Sequence, residues 1–131
     1  MNRILSAMLL LAAATGASGQ DYRCRIQQVV GADQASPHLT EGRSRIGEEF
    51  TVDRHTGIMG GALKNSYIAK PQVVDLGNHQ NAYKVVNAIR GESARVGSIY
   101  ALTIDEQHAS RRKPFVFLSN AIVYLGECGH I

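Results

Sequence analysis

The sequence predicts an all-β fold, a small antiparallel β-barrel or sandwich of about eight strands with one disulfide. Apolar and polar residues alternate over short segments, and turn residues separate these segments at near-regular spacing. No segment keeps the 3.6-residue apolar period of an amphipathic helix over a sustained stretch. The chain has only two cysteines, Cys24 and Cys128, which lie near the two ends of the predicted domain.

Residues 1–19 have the layout of a secretory signal peptide. Arg3 supplies the positive start, and Ile4–Ala14 form an apolar core of eleven residues, which is too short to span a bilayer. Cys24 follows Asp-Tyr-Arg and lacks the small and apolar residues that lipidation requires. We therefore expect a single exported β domain at 20–131, in the bacterial periplasm or outside the cell, with no stable membrane insertion after signal cleavage.

The two cysteines predict a structural disulfide that ties the terminal strands together. An oxidising compartment favours this pairing, and closing a loop of roughly 100 residues would contribute about 4–5 kcal/mol in the chain-entropy model. A redox pair or intermolecular bonds are the alternatives. A redox site would more often show Cys-x-x-Cys, which the sequence lacks.

The first strand is predicted at Tyr22–Val30, with Tyr22, Cys24, Ile26 and Gln28 on one face. The segment that follows, Gly31–Gly47, contains few apolar residues and reads as a long loop with one short helical turn. A loop of this length in a small domain is usually functional or mobile.

A β-hairpin is predicted at Phe50–Leu63. Phe50 and Val52 alternate with polar residues, and Asp53–Gly57 supply the turn, since Asp can accept a hydrogen bond from the backbone two residues on. On the return strand, Ile58, Gly60 and Ala62 resume the alternation. The Gly60-Gly61 pair indicates a bulge or the close approach of another backbone.

The second half of the chain predicts five further strands separated by polar turns. The segment from 82 to 90 also permits a helix, but its β-branched valines and its aromatic residue favour a strand. The strands are expected at Gln72–Leu76, Ala82–Arg90, Gly97–Asp105, Pro114–Ser119 and Ala121–Cys128. The connections are expected at Lys64–Lys70, Gly77–Asn81, Gly91–Val96 and Glu106–Lys113.

The composition offers no strong catalytic signal. No histidine has a metal-ligand spacing to another histidine or to a cysteine, and neither a nucleophile elbow nor a phosphate-binding glycine loop occurs. We therefore predict no cofactor, no metal and no catalytic residue. The alternative is a small hydrolase with a composite site, which requires that at least two groups of one set converge in a pocket. That set consists of His55, His79, His108, Asp53 and Asp105.

The densest run of charge is Arg111-Arg112-Lys113, between two strongly apolar strands. It is interpreted either as a solubilising loop beside aggregation-prone strands or as a contact for an anionic partner. Arg43 and Arg45 would join it if the long loop folds to the same rim. The net charge of +3 is too small to indicate a specific nucleic-acid protein, which would show a basic stripe with interleaved aromatic residues.

Gly97-Ser98-Ile99-Tyr100, together with the export signal, the size and the final cysteine, resembles the periplasmic inhibitors of C-type lysozyme. Those inhibitors are small antiparallel barrels that insert loops into the lysozyme cleft and contact its catalytic carboxylates. The resemblance implies that Ser98 and Tyr100 are contact residues. The second motif of that family, a Tyr followed shortly by Lys-Gly, has no counterpart in this sequence.

The predicted function is that of an exported, non-enzymatic binding domain. It would use loops at one rim to contact a protein or a polyanion of the cell envelope, and the lysozyme inhibitor is the sharpest form of this prediction. A small hydrolase and a purely structural envelope component are the alternatives. The binding prediction requires one exposed patch formed either by the four arginines or by Ser98 with Tyr100, and the structural alternative predicts an exposed sheet edge instead.

Overall fold

The computed structural model describes residues 20–64, 70–89 and 98–131. Within these ranges the chain forms eight strands and one short helix, which confirms the predicted all-β fold. The predicted signal peptide, the predicted Gly91–Val96 turn and most of the Lys64–Lys70 connection lie outside the described residues. The elements are β1 (Tyr22–Gly31), α1 (Pro37–Arg43), β2 (Glu49–Val52), β3 (Met59–Gly61), β4 (Gln72–Leu76), β5 (Tyr83–Ile89), β6 (Ser98–Ile104), β7 (Lys113–Ser119) and β8 (Ile122–His130).

All eight strands belong to one antiparallel sheet in the order β3-β2-β1-β8-β7-β6-β5-β4. The chain is thus a meander whose last strand returns to pair with the first along nearly its full length. The sheet curls until the β2–β3 turn reaches β5, where the Tyr83 hydroxyl donates to the carbonyl oxygens of Asp53 and Arg54 at 3.3 and 3.0 Å. One continuous curled sheet is an open barrel rather than a two-sheet sandwich.

The disulfide between Cys24 and Cys128 is formed, as predicted. The two residues lie directly opposite each other in the β1–β8 ladder, with their Cα atoms 3.9 Å apart. Both are buried and belong to the apolar core. Beside them, the rings of Phe50 and Phe115 pack edge to face with centroids 5.0 Å apart, a favoured aromatic geometry.

The inward face of β1 departs from the prediction in its second half. Tyr22, Cys24 and Ile26 are buried as expected, but a β-bulge after Ile26 shifts the register, so Val29 is buried and Gln28 is exposed. An extra residue in one strand moves all later side chains to the opposite face. The assignment of Gln28 to the inner face was therefore wrong.

The predicted hairpin is present, with Asp53 accepting backbone hydrogen bonds from His55 and Thr56 at 3.0 Å. The alternation of the return strand was wrong by one residue. Met59 pairs with Val52 and both are buried, whereas Ile58 is exposed. Register in a hairpin follows the length of the connection, and here the connection extends through Ile58.

The long loop after β1 contains α1, which agrees with the predicted helical turn. Leu39 of α1 is fully buried, and Gly42 lies against Tyr124 and Val29, where a larger side chain would clash. The helix therefore covers the barrel where β1 ends and β8 begins. We call this the helix end, and the opposite end, where β1 begins and β8 ends, the rim.

We expect removal of the disulfide by Cys24→Ser with Cys128→Ser to lower the free energy of unfolding by about 4 kcal/mol, because the bond closes a loop of 104 residues and restricts the unfolded chain. Urea unfolding of the oxidised protein and the double variant measures this difference. Equal midpoints and slopes for the two proteins would contradict a stabilising role.

Candidate functional site

The rim brings together the β2–β3 turn, the β4–β5 turn, the β6–β7 loop and the last residues of β8. These segments enclose a cleft of about 890 Å³, which we call the rim cleft. Glu106 is the one acidic residue among the described residues that line it. Four cationic side chains line the same cleft: Arg54, Arg111, Arg112 and Lys113.

The curl of the sheet brings Arg54, in the β2–β3 turn, next to the end of β4. Its backbone N–H donates to the Asp21 carboxylate at 3.0 Å. Its guanidinium donates to the carbonyl oxygens of Leu76, at 3.0 Å from Nε and 2.8 Å from Nη2, and of Gly77, at 3.0 Å from Nη2. These bonds fix the guanidinium against the end of β4. The sequence analysis missed Arg54, because nothing in its local sequence links it to a loop about fifty residues later.

Glu106 forms the base of the rim cleft. Its side chain is only 10% exposed, and its carboxylate accepts hydrogen bonds from the Tyr22 hydroxyl and, at 2.9 Å, from His130 Nε2. The Tyr22 ring lies between Tyr83 and His130, with centroid distances of 5.1 and 4.7 Å. The Tyr22 ring thus packs in the core, and its hydroxyl forms a hydrogen bond at the rim.

Burial dominates the acid–base behaviour of these tyrosines. It raises the pKa of Tyr22 well above its ordinary value, and the neighbouring Glu106 carboxylate raises it further. Burial also raises the pKa of Tyr83, helped by the Asp53 carboxylate. Both hydroxyls therefore stay protonated and act as hydrogen-bond donors at neutral pH.

His130 faces oxygen atoms with both of its ring nitrogens. Nε2 lies 2.9 Å from Glu106 and Nδ1 lies 3.4 Å from the carbonyl oxygen of Gln20. A neutral imidazole carries only one N–H, so it can donate to one of these acceptors, and the protonated ring can donate to both. The shorter contact, to Glu106, holds Nε2, and Nδ1 faces the backbone of Gln20.

The β6–β7 loop is held by its own hydrogen bonds. Asp105 accepts from the Gln107 N–H at 3.1 Å, and the Ser110 hydroxyl accepts from the Arg112 N–H at 3.2 Å. Lys113 Nζ donates to the carbonyl oxygens of Glu106 and His108. This framework leaves Arg111 and Arg112 exposed. Arg112 pairs with Glu127 at 3.8 Å, whereas Arg111 makes no ion pair within the part of the chain described.

The aspartates of the rim accept backbone hydrogen bonds, within local turns for Asp53, Asp75 and Asp105 and from the distant Arg54 for Asp21. Backbone hydrogen bonds, first of all from Thr56, hold the pKa of Asp53 below its usual range. These carboxylates stabilise the turns and do not line the rim cleft.

Arg43 and Arg45 do not join the rim cleft. Arg43 lies in α1 and Arg45 just beyond it, at the helix end, where Arg45 pairs with Glu41 and Glu48 at 3.6 and 3.5 Å. The length of β7 separates them from Arg112, which at about 3.3 Å per residue is roughly 20 Å. The long loop therefore does not fold to the rim of Arg111, and the condition under which Arg43 and Arg45 would join that charge run is not met.

Ser98 and Tyr100 also lie toward the helix end. The Tyr100 ring stacks on Phe117, with an interplanar angle of 5° and centroids 6.1 Å apart. It lines a second cavity, of about 370 Å³, together with Arg45 and Asn120. The Ser98 hydroxyl is buried and has no hydrogen-bond partner among the described residues.

The hydrolase alternative requires that two members of its set converge, and two of them, His79 and His108, both line the rim cleft. His55 does not line it. His130, which is outside that set, does. His108 Nδ1 accepts from the Ser110 N–H at 3.2 Å. Across the ranges that the structure covers, no group of three or more His, Cys, Asp or Glu side chains is arranged to hold a metal ion.

No known protein family, curated protein or solved structure matches this chain. The resemblance to lysozyme inhibitors therefore depends on the short Gly-Ser-Ile-Tyr motif and the general layout of the sequence. No helix in the described ranges is long and apolar enough to cross a membrane. The function has to be argued from the geometry of the sites.

We expect the stability of the protein to fall above about pH 10, where tyrosines of the unfolded chain ionise. Tyr22 and Tyr83 have raised pKa values in the folded state, so the folded protein keeps protons that the unfolded chain releases. Their contribution is complete below that pH and is lost as the pH rises.

Urea unfolding across an alkaline pH series tests this expectation. The double variant Tyr22→Phe, Tyr83→Phe should lose stability less steeply with rising pH, although it starts from a lower value because Glu106 loses a donor. The same alkaline slope in the wild type and the variant would contradict the assignment.

Proposed function

We propose that this protein is an exported, non-enzymatic binding domain that holds an anionic partner in the rim cleft. The observation that carries the proposal is the convergence of Arg54 with Arg111, Arg112 and Lys113 around one concave site. Arg54 is about fifty residues away in the chain and belongs to a different turn. Its guanidinium is held by the carbonyl oxygens of Leu76 and Gly77, so it adds a fixed positive charge beside the exposed arginines of the β6–β7 loop.

The chemistry of the site supports anion binding. A guanidinium offers a planar fork of donors that matches carboxylate, sulfate or phosphate oxygens. Arg111 and Arg112 are exposed and at most weakly paired, and an exposed ion pair contributes only about 0–1 kcal/mol, so both can turn to a ligand at little cost. Four cations against one carboxylate line the concave site, and an excess of one sign in a cleft concentrates the field that attracts a ligand of opposite sign.

Export is supported by two independent features. The first 19 residues have the layout of a signal peptide, and the protein contains a formed disulfide, which persists in oxidising compartments. We place the protein in the periplasm or outside a bacterial cell on these grounds.

Binding is favoured over hydrolysis by the contacts of the histidines. A composite hydrolase needs a ring nitrogen within hydrogen-bond reach of the group that it activates. His130 Nε2 is held by Glu106, and His108 Nδ1 accepts from a backbone N–H. Neither His108 nor His79, which also lines the cleft, is paired with a carboxylate among the described residues. Anion binding requires no such pairing, and protonated histidines would add to the positive charge of the cleft.

We expect the Arg111→Ala, Arg112→Ala variant to bind heparin, used as a probe polyanion, at least about tenfold more weakly than the wild type, because it loses two exposed guanidinium groups. The slope of log K against log salt should decrease by about two, since two fewer counterions are released. Fluorescence titration over a series of salt concentrations measures both quantities.

Arg43→Ala, Arg45→Ala is the matched control, because it removes the same charge from the helix end. It should change heparin affinity far less than the rim variant. Equal losses for the two variants would mean that heparin responds to net charge alone, and the rim-cleft proposal would then fail.

A second candidate function follows the resemblance to lysozyme inhibitors and uses the other end of the barrel. Tyr100 is only partly buried and lines an open cavity there beside Asn120, so it is accessible to a partner. The Tyr100→Ala variant should abolish inhibition of C-type lysozyme if this candidate is right, whereas the Arg111→Ala, Arg112→Ala variant should retain it. Turnover of a bacterial cell-wall substrate by lysozyme measures inhibition, and undiminished turnover with wild-type protein would exclude this candidate.

A further inference from the structure

A third concave site, of about 470 Å³, lies on the outer surface of β1, β8 and the start of β7, and we call it the outer cleft. Its charged lining residues are three arginines, Arg23, Arg25 and Arg112, and two glutamates, Glu49 and Glu127. Three of its lining residues also line the rim cleft: Arg112, Gly129 and His130. The two clefts are therefore adjacent and share a wall.

The strand register places Gly129 at the junction of the two clefts. Gly129 pairs with Arg23 of β1, and its neighbour Cys128 pairs with Lys113 at the start of β7. The Cys128 side chain points inward to the disulfide, so position 129 faces outward. A Cβ atom built on Gly129 would meet nothing within 4 Å, which shows that the space above it is open.

We propose that the two clefts form one continuous groove, which binds a linear polyanion lying across Gly129. This inference rests on the proposed function, because it extends the same cationic site. Neighbouring strands are about 4.8 Å apart, so the backbones of Arg23 and Arg112 are separated by roughly 10 Å. A chain of regularly spaced oxyanions would contact the arginines of both clefts at once. We call the two clefts the arms of the groove.

The charge of the groove suits a polymer better than a single small anion. Six cationic side chains face three glutamates along the groove: Arg23, Arg25, Arg54, Arg111, Arg112 and Lys113 against Glu49, Glu106 and Glu127. The Arg23, Arg25 and Arg112 ion pairs are 3.9, 3.6 and 3.8 Å long and exposed. Such pairs are weak, and a polymer with several oxyanions would replace them together, since its later contacts are intramolecular.

The lining of the groove distinguishes a flexible polyanion from other anionic partners. No Phe, Tyr or Trp lines it among the described residues. Protein interfaces depend on buried aromatic and aliphatic anchors, and single-stranded nucleic acids stack their bases on aromatic rings. A cationic lining without aromatic residues suits sulfated or uronate polysaccharides and polyphosphate. These polymers share one chemistry, namely oxyanions repeated along a flexible backbone.

The test is a series of chain lengths measured on the intact, oxidised protein. Heparin-derived oligosaccharides, from the disaccharide to long chains, and polyphosphates from triphosphate to long chains are titrated by calorimetry. In at least one series, affinity should rise steeply with length until the chain spans the groove and then level off. The series that shows this rise identifies the source of the oxyanions.

Gly129→Phe is the critical variant, because its Cβ atom would lie in open space and its ring would stand between the two clefts. It should bind long chains about tenfold or more weakly, losing the gain from simultaneous contacts, while it binds the shortest oligomer like the wild type. Gly129→Ala is the control and should bind both as the wild type does. Arg23→Ala, Arg25→Ala should also lose affinity for long chains only.

Several outcomes separate the two proposals. Affinity that does not depend on length, or long-chain binding by Gly129→Phe equal to that of the wild type, overturns the groove and leaves the rim cleft intact. Absence of binding to every oligomer and polymer by the wild type overturns the proposed function and the groove together. Circular dichroism and a thiol assay establish that each variant is folded and oxidised before it is compared.

Discussion

The pairing of β1 with β8 is the constraint on which the rest of this structure depends. Twisted strands give a sheet an intrinsic tendency to curl, the ladder from Tyr22 to Gly31 against β8 joins the first and last strands of the chain, and the disulfide links that ladder near its rim end. With β1 and β8 paired in the middle of the sheet, its edge strands are β3 and β4, and the curl of the sheet brings the β2–β3 turn to β5 and Arg54 to the end of β4. The rim cleft is therefore a product of closure rather than of any one loop.

Two buried tyrosines connect the core to the rim: Tyr83 donates to the β2–β3 turn, and Tyr22 reaches the base of the cleft. Tyr22 is fully buried, yet its hydroxyl donates to Glu106, which also accepts from His130. A buried carboxylate is costly unless it is hydrogen-bonded or paired, and here both kinds of partner are present. The same carboxylate limits the positive charge at the base of the cleft, so the exposed arginines at its mouth provide most of the attraction for an anion.

Sequence patterns located the strands well because alternation and turn residues are local signals. They failed where a single residue changes the register: the bulge after Ile26 exposes Gln28, and the length of the β2–β3 connection exposes Ile58. Arg111 and its neighbours were recognisable as a charge run. Arg54, Arg23 and Arg25 were not, because each occupies an ordinary turn or outward strand position and acquires its neighbours only through closure of the sheet.

The position of the disulfide links the compartment of the protein to its surface chemistry. Cys24 lies between Arg23 and Arg25, and Cys128 lies beside Gly129 and opposite Lys113. The covalent bond therefore fixes the strand spacing beneath the groove as well as the stability of the fold. If the bond were reduced, the two cationic arms would be held only by backbone hydrogen bonds and packing. An oxidising environment, in which the bond persists, thus favours both the fold and the spacing of these charges.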